Sequence, residues 1–341
     1  MEGSEEAEEE LYEHYRLQAD PGQEALRIDK FLMDRIPNTS RTKLQVAAGN
    51  GNIRVNGQKV KSNYKVKPGD DISIVLPYPQ REIELIPEDI ALEILYEDGH
   101  MVVLNKPSNM VVHPGYGNYT GTLVNALIHH FGQLPEAPGG IPHRPGLVHR
   151  LDKNTTGVMV IAKTEQAHSH LSLQFYERSI DRRYAAIAWG DIESDGTVTG
   201  HIGRSLKNRK VMSVFPEGEH GKHAITHYRV LERLGYVSLI ECKLETGRTH
   251  QIRAHMKHIG HPLFNDPEYG GNAILKGTSF SKYRQFVLNN FELLPRQALH
   301  ARSLELTHPH SGERMHFESP LPEDMEAVLE RWRAYISSRS D

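Results

Sequence analysis

The sequence predicts an α+β protein in two parts: a small basic module, then a large domain on a mainly antiparallel mixed sheet with flanking helices. Three observations carry this. A chain of 341 residues, 38% hydrophobic and 25% charged, has room for about two cores and is globular in composition. Residues 26–67 hold ten Lys/Arg against Asp29 and Asp34, a local charge of +8. From residue 93 onward, β-prone runs bounded by turn residues are interspersed with single helices and show no internal repeat.

The elements follow in order. Residues 1–24 read as a disordered acidic arm closed by Pro21-Gly22, too acidic and too poor in apolar residues to bury a core. LRIDKFLMDRI (26–36) has apolar residues at helical spacing and is ended by Pro37. Ser40 can cap a second helix, RTKLQVAAGN, which Gly49 and Gly51 stop. IRVNGQKVK turns at Asn56-Gly57, a hairpin signal, and DISIVL adds a strand. These complete a module at 25–76.

Residues 77–92, with three prolines, predict a linker. The second domain, 93–341, opens with two β-rich runs around Asp98-Gly99. A helix TLVNALIHHFG, a Pro/Gly-rich loop at 134–146 and strands at 147–151 and 157–163 follow. A helix is predicted over 165–179, then strands RRYAAIAWG, HYRVLERL and VSLIECKLE, a helix THQIRAHMKHIG, and a last helix EDMEAVLERWRAYI after Pro322.

Charge and composition limit the function. The first twenty residues hold eight acids against Arg16; without them the body carries 39 basic and 36 acidic residues. A basic block behind an acidic tail points to a polyanionic partner, although a solvated charged face is the plainer alternative. A single cysteine, Cys242, leaves no intramolecular disulfide. No apolar run approaches the roughly 18 residues of a membrane span, and the N-terminus lacks the pattern of a signal peptide. A cytoplasmic protein without a membrane partner is expected.

Four segments are candidates for chemistry. In LVHRLDKNTTGVMVIAK (147–163), the charged core His149–Lys153 lies between apolar, β-prone runs. Sheltered charge is costly unless paired or functional, so Asp152 is a candidate nucleophile or base; spacing alone equally allows a structural Arg–Asp pair. In ETGRTHQIRAHMKHIGHP (245–262), Ile252, Met256 and Ile259 form an inward stripe beside Arg253 and Lys257. Arg248 and Arg253 bracket that helix start, where an anion is well held. No acidic residue lies among its four histidines, and their spacing matches no zinc pattern, so no metal is expected. In RSIDRRYAAIAWG, Tyr184 shares a strand face with Ala186 and Ala188, leaving its ring free to stack on a flat ligand or to pack as core. RSLKNRK (204–210) is a basic loop, suited to phosphate or to solvent.

HRLDKNTTG at 149–157 resembles the HRLD-x-x-TSG signature of the RluA-type pseudouridine synthases. LNKPSNMVVHPG, RRYAAIAWG, TGRTHQIRAH and ALHARSLELTHP are similar to four further motifs of that family, in its order. The basic module resembles an S4 RNA-binding domain, an αααβ-type fold. Asn109 stands where a glycine is usual, a substitution asparagine tolerates in left-handed turns.

The resemblance implies an isomerase converting specific uridines of RNA to pseudouridine without cofactor or metal, because substrate and product are isomers. An S4 domain together with HPG and RPGLVHRLDKNTTG points to 23S rRNA or the large-subunit precursor, handled by a monomer. The same chemistry on tRNA or other rRNA uridines, and a ribosome-assembly factor that binds RNA, are the alternatives. By the same resemblance Asp152 is the catalytic aspartate, Arg253 its partner and Tyr184 the tyrosine packing on the base. Arg150 fills the gap left by the flipped base, Leu299 is an apolar wall, and Arg248 binds substrate. Arg27, Lys30, Arg41, Lys43, Arg54 and Lys59 are implied contacts to RNA phosphates.

Overall fold

The computed structural model describes residues 12–36, 39–76, 84–115, 117–136, 144–208 and 211–340. It divides into two compact units, Met1–Glu84 and Leu85–Asp341.

The first unit contains β1 (Tyr12–Gln18), β2 (Leu26–Arg27), α1 (Ile28–Met33), α2 (Arg41–Gly49), β3 (Ile53–Val55), β4 (Gln58–Lys59), β5 (Lys65–Val66) and β6 (Asp71–Leu76). Ser40 caps α2 by accepting the Lys43 amide at 3.3 Å. Asn56 and Gly57 both take positive φ, 51° and 78°, as the two-residue hairpin between β3 and β4 requires. Ile28, Phe31, Leu32, Leu44, Ile53 and Ile72 make its core.

Two features differ from expectation. Residues 12–18, predicted to belong to the unstructured arm, form β1, which pairs antiparallel with β6 from Tyr12↔Leu76 to Gln18↔Asp71. The acidic run dominates the composition of the arm, but β6 has a free edge, Leu17 packs on the core, and Arg16 forks onto Asp71 at 2.8 and 3.1 Å. Residues 1–11 lie outside the described residues. The described part of this unit also holds two helices rather than the three of an αααβ arrangement.

The second unit runs β7 (Glu93–Glu97), β8 (Met101–Lys106), α3 (Leu123–Phe131), β9 (Thr156–Ala162), α4 (Glu165–Glu177), β10 (Asp181–Trp189), β11 (Gly196–Arg204), β12 (Met212–Phe215), β13 (Lys222–Arg233) and β14 (Val237–Leu244). It continues through α5 (Gln251–His258), α6 (Ser281–Leu293), β15 (Leu299–Thr307), β16 (Arg314–Glu318) and α7 (Glu323–Ser340). Its sheet has the order β12-β11-β13-β14-β10-β15-β9-β8-β7, with β16 on β15. Among the described residues its strands pair antiparallel except β15 with β9.

No strand forms over 147–151; only Leu147 bridges to Ile161, because the charged residues leave the sheet to form a loop. β11, β12 and α6 were not anticipated. Three glycines lower the strand propensity of β11, and pairing with both β12 and β13 overrides this. α6 starts after Phe280 with no side-chain cap, so its start signal is missing from the sequence.

The central strands set up the site. β10, β15 and β9 are neighbours, with Tyr184 opposite Ala301 and Ala186 opposite Leu299. The parallel contact joins His300 to Thr156 and Ala301 to Gly157. Gly157 has φ of 118°, and a Cβ there would lie 2.2 Å from the Ala301 carbonyl oxygen. Only glycine lets the loop after Asp152 enter the sheet beside β15.

Candidate active site

Asp152 projects from the loop before β9, and its backbone is held from several sides. Its carbonyl accepts the Thr155 amide at 3.1 Å. Lys106, fully buried at the end of β8, donates to the carbonyls of Pro107, Met110 and Lys153 at 2.6, 2.9 and 3.1 Å. Those three acceptors use the three N–H bonds of an ammonium. Burial pushes the Lys106 pKa down to about 7 while the charge of Asp152 opposes that shift. On the other side Arg296 donates to the Asn154 and Leu299 carbonyls at 3.3 Å each, and Asp324 grips its guanidinium at 2.7 Å twice. Gln297 donates to the Thr155 hydroxyl at 3.2 Å. Two buried cations therefore fix consecutive carbonyls next to Asp152.

Its carboxylate meets Arg253 on α5, Nη1 to Oδ2 at 3.2 Å. Arg253 is 4% exposed at its side chain and is itself clamped. Nε and Nη2 bond the two oxygens of the fully buried Asp266 at 2.7 and 2.8 Å, and Nη2 reaches Glu268 at 2.5 Å. Burial works to lower the Arg253 pKa, but the Asp266 hydrogen bonds, then the charges of Asp266, Asp152 and Glu268, leave it raised. The guanidinium carbon lies 4.9 Å from the centre of the Tyr269 ring. Three carboxylates surround one cation that is permanently charged.

α5 is anchored by Gln251, which uses its whole amide. It accepts from the Thr246 hydroxyl at 2.8 Å and the Arg248 amide at 3.0 Å, and donates to Ile225 O and Thr226 Oγ1 at 2.9 and 3.0 Å. Ile252 and Met256 face the core, as their spacing predicted. His250 begins the helix in left-handed conformation, φ 54°, with Nε2 3.8 Å from Asp152. Burial lowers its pKa, with Asp152 opposing.

Arg150, Leu151, Asp152, Tyr184, Leu244, Arg248, His250, Arg253 and Leu299 line one pocket. The six residues expected at the site in this domain thus share a single cavity, drawn from the loop before β9, from β10, from the segment before α5, from α5 and from the start of β15. Tyr184 is nearly buried and its pKa is raised by burial, against the effect of Arg182. Arg150 is exposed at the rim. Arg248 donates from Nε to the His223 carbonyl at 3.1 Å. Among the described residues no group of His, Cys, Asp and Glu is arranged to hold a metal ion.

Asp266, Glu268, Lys106 and Arg296 were not read as site residues. FNDPEYGG (264–271) offers acids and tight-turn residues, but no spacing rule says it folds back onto Arg253.

In the first unit Arg27 and Arg41 converge on one acid. Asp29, fully buried, accepts from Arg27 at 3.1 and 3.0 Å, from Arg41 at 3.0 Å and from Gln45 at 3.0 Å. The Arg27 hydrogen bonds, against burial, drive its pKa far down. Side chains of Arg27 and Arg41 remain 39% and 44% exposed, so each still faces solvent. Lys30, Lys43 and Lys59 are exposed and Arg54 is half-buried. Residues 209–210 of the basic loop lie outside the described residues. Among the described residues no helix is long and apolar enough to cross a membrane.

Comparison with known proteins agrees with this layout. Residues 100–258 match the RNA pseudouridylate synthase family model, and residues 26–72 match the S4 domain model. A Chlorobaculum parvum protein described as an uncharacterized RNA pseudouridine synthase is 48% identical over 318 residues, 93% of this chain and 97% of its own. A ribosomal large subunit pseudouridine synthase D from Pseudomonas aeruginosa is 44% identical over 87% of this chain and 89% of its own. The structure of human RNA pseudouridylate synthase domain containing 4 superposes with a TM-score of 0.51 at 27% identity, covering 71% of this chain and 93% of its own.

Proposed function

The chain belongs to the RNA pseudouridylate synthases, an isomerase family, and we propose that its substrate is 23S ribosomal RNA or the large-subunit precursor, isomerised in the cytoplasm by a monomer. The observation carrying the site is the Asp152–Arg253 pair, closed on one side by Tyr184 and Leu299 and open on the other at Arg150. Relatives named for the ribosomal large subunit, 41–44% identical over most of the chain, support the substrate.

In this reading Asp152 is the nucleophile. It attacks the flipped uridine or its ribose, and the N1–C1′ bond breaks. The freed base turns against the Tyr184 ring until C5 bonds C1′, and the bond that Asp152 made to C6 or C1′ breaks to return the free carboxylate; the C5 proton is then lost and N1 takes up a proton, so atoms balance with no added reagent. Arg253 holds the Asp152 carboxylate in place through the 3.2 Å hydrogen bond from Nη1. Arg150 occupies the place vacated in the stack, offsetting part of the few kcal/mol that extrusion costs. Leu299 keeps water from the detached base, and Arg248 holds the substrate backbone. In the first unit Arg27, Lys30, Arg41, Lys43, Arg54 and Lys59 bind phosphates without regard to sequence.

The test maps pseudouridines in large-subunit rRNA from cells whose only copy carries Asp152→Asn. Loss of particular modifications is expected, with RNA affinity of the purified variant nearly unchanged. An unchanged rRNA map overturns the substrate. Full turnover by the variant in vitro overturns the role of Asp152.

A further inference from the structure

Beside Tyr184 the cleft continues past Arg150 toward Phe175, Arg182 and Gly247, and it contains an arginine whose buried Nε has no hydrogen-bond partner. Arg182 lies two residues before Tyr184 on β10 and is 9% exposed. Its Nε is fully enclosed without a hydrogen-bond partner, and among the described residues its guanidinium has no carboxylate within ion-pair distance. Its guanidinium carbon lies 5.5 Å from the centre of the Phe175 ring. The other buried arginines are compensated, Arg253 by Asp152, Asp266 and Glu268, and Arg296 by Asp324.

Nearby acids are already committed. Asp181 binds Lys243 at 2.5 Å and Arg183 at 3.2 Å, and Glu245 accepts from or pairs with His227 at 2.6 Å. His149 is held neutral, since its Nε2 accepts the Val160 amide at 3.0 Å and burial pushes its pKa down to about 3. Sheltered charge without a counter-charge costs several kcal/mol. The backbone at Gly247 is also built around this side chain: a Cβ there would sit 2.8 Å from Arg182 Nη1. Arg150, Arg178 and Arg248 stand along the same cleft with Asp152 and Glu245, so with Arg182 the cations in its lining outnumber the acids.

We propose that Arg182 is the floor of a phosphate subsite, which takes a phosphodiester of the RNA backbone adjoining the flipped uridine. The inference rests on RNA being the substrate and adds a contact to it. The cleft and the catalytic pocket share Arg150, Asp152, Tyr184, Leu244 and Arg248, so an occupant of both is a chain with its base at Asp152 and its next charge at Arg182. A guanidinium fork matches phosphate oxygens better than an ammonium does, and the incoming anion supplies the missing counter-charge.

The experiment measures binding of an oligouridylate by fluorescence anisotropy over a range of salt, for wild type, Arg182→Met and Arg182→Lys. Arg182→Met is expected to bind about tenfold more weakly, with the log–log salt slope smaller by about 0.7, the share of one phosphate on a single strand. Arg182→Lys is expected to recover the slope. An equal slope for wild type and Arg182→Met overturns the proposal. Inorganic phosphate at constant ionic strength is expected to leave wild-type binding unchanged; abolition of the Arg182-dependent part would reassign the site to a free anion.

If Arg182→Met fails to fold by circular dichroism, wild-type protein decides. Ribosomal RNA fragments carrying one neutral methylphosphonate at successive positions are expected to show a raised KM at a single phosphate beside the target, and a uniform response overturns the subsite. If wild type converts no uridine in these fragments but its oligouridylate slope depends on Arg182, the ribosomal substrate fails and the subsite stands.

Discussion

Arg253 has more negative charge around it than its pairing with Asp152 requires. Asp266 takes two of its N–H groups at 2.7 and 2.8 Å, Glu268 one and Asp152 one. Asp266 is the acid that takes the guanidinium with both oxygens and is fully buried, so it is a positioning residue that aims Nη1 at Asp152. Asp266→Ala leaves a buried guanidinium half-paired and is expected to lower unfolding stability by about 3–5 kcal/mol. It should also lower kcat more than it raises KM, because the aim of Arg253 is lost while RNA contacts remain. Urea melts and steady-state kinetics check both; a melt at the wild-type midpoint would show that Asp266 does not brace the arginine. Lys106 and Arg296 work in the same way one residue further along the chain, through carbonyls rather than charges.

At the scale of elements, the site depends on how β9 meets β15. The loop carrying Asp152 can enter the sheet only because residue 157 has no side chain and takes φ of 118°. Gly157→Ala drives a methyl into the Ala301 backbone, which must shift, and is expected to cost about 2–3 kcal/mol with a loss of turnover. Gly49→Ala is the control. Nothing lies within 4 Å of a Cβ at that position in α2, and helix propensity predicts a gain of about 0.5–1 kcal/mol. Thermal melts showing equal shifts for the two variants would remove the close approach at Gly157 as the explanation. The unanticipated α6 serves a different end of the domain, packing Tyr283 and Phe286 with Trp332 and Tyr335 of α7, and α7 carries the Asp324 that holds Arg296.

Over the whole molecule, buried histidines set the response to acid. Burial lowers His149, His255 and His300 from 6.5 to about 3, 4 and 4. In the unfolded chain they take up protons near pH 6.5, so below that pH the unfolded state binds more protons than the folded one. Stability is fully present above 6.5 and is lost as pH falls through about 4, by at most roughly 3 kcal/mol for His255. Urea melts at pH 7.5 and 4.5 are expected to show a large loss in wild type and a smaller one in His255→Gln. Equal losses would mean that His255 titrates alike in both states. Charge at this scale is uneven as well: the first twenty residues are acidic and residues 26–67 carry +8. Asp29 draws Arg27 and Arg41 onto one side of α1 and α2 without removing them from solvent.

Local signals along the chain were enough for the α+β class and most of the elements, and the family resemblance grouped Arg150, Asp152, Tyr184, Arg248, Arg253 and Leu299, which the fold brings to one cavity. Periodicity, caps and turn residues act over a few neighbours, and motifs in order identify a family, so both can be read along a chain. Asn109 illustrates the local kind, adopting φ of 60° where a left-handed residue was expected. The tertiary structure alone decided that residues 12–18 become an edge strand, since that depends on β6 having an unpaired side some 55 residues away. It alone decided that 147–151 leaves the sheet, that uncapped α6 forms, that Asp266 and Glu268 hold Arg253, and that Lys106 and Arg296 hold the loop carrying Asp152. Those outcomes are set by burial and by partners distant in sequence, and the cost of an unpaired charge can be assessed only once the fold has determined what lies beside it.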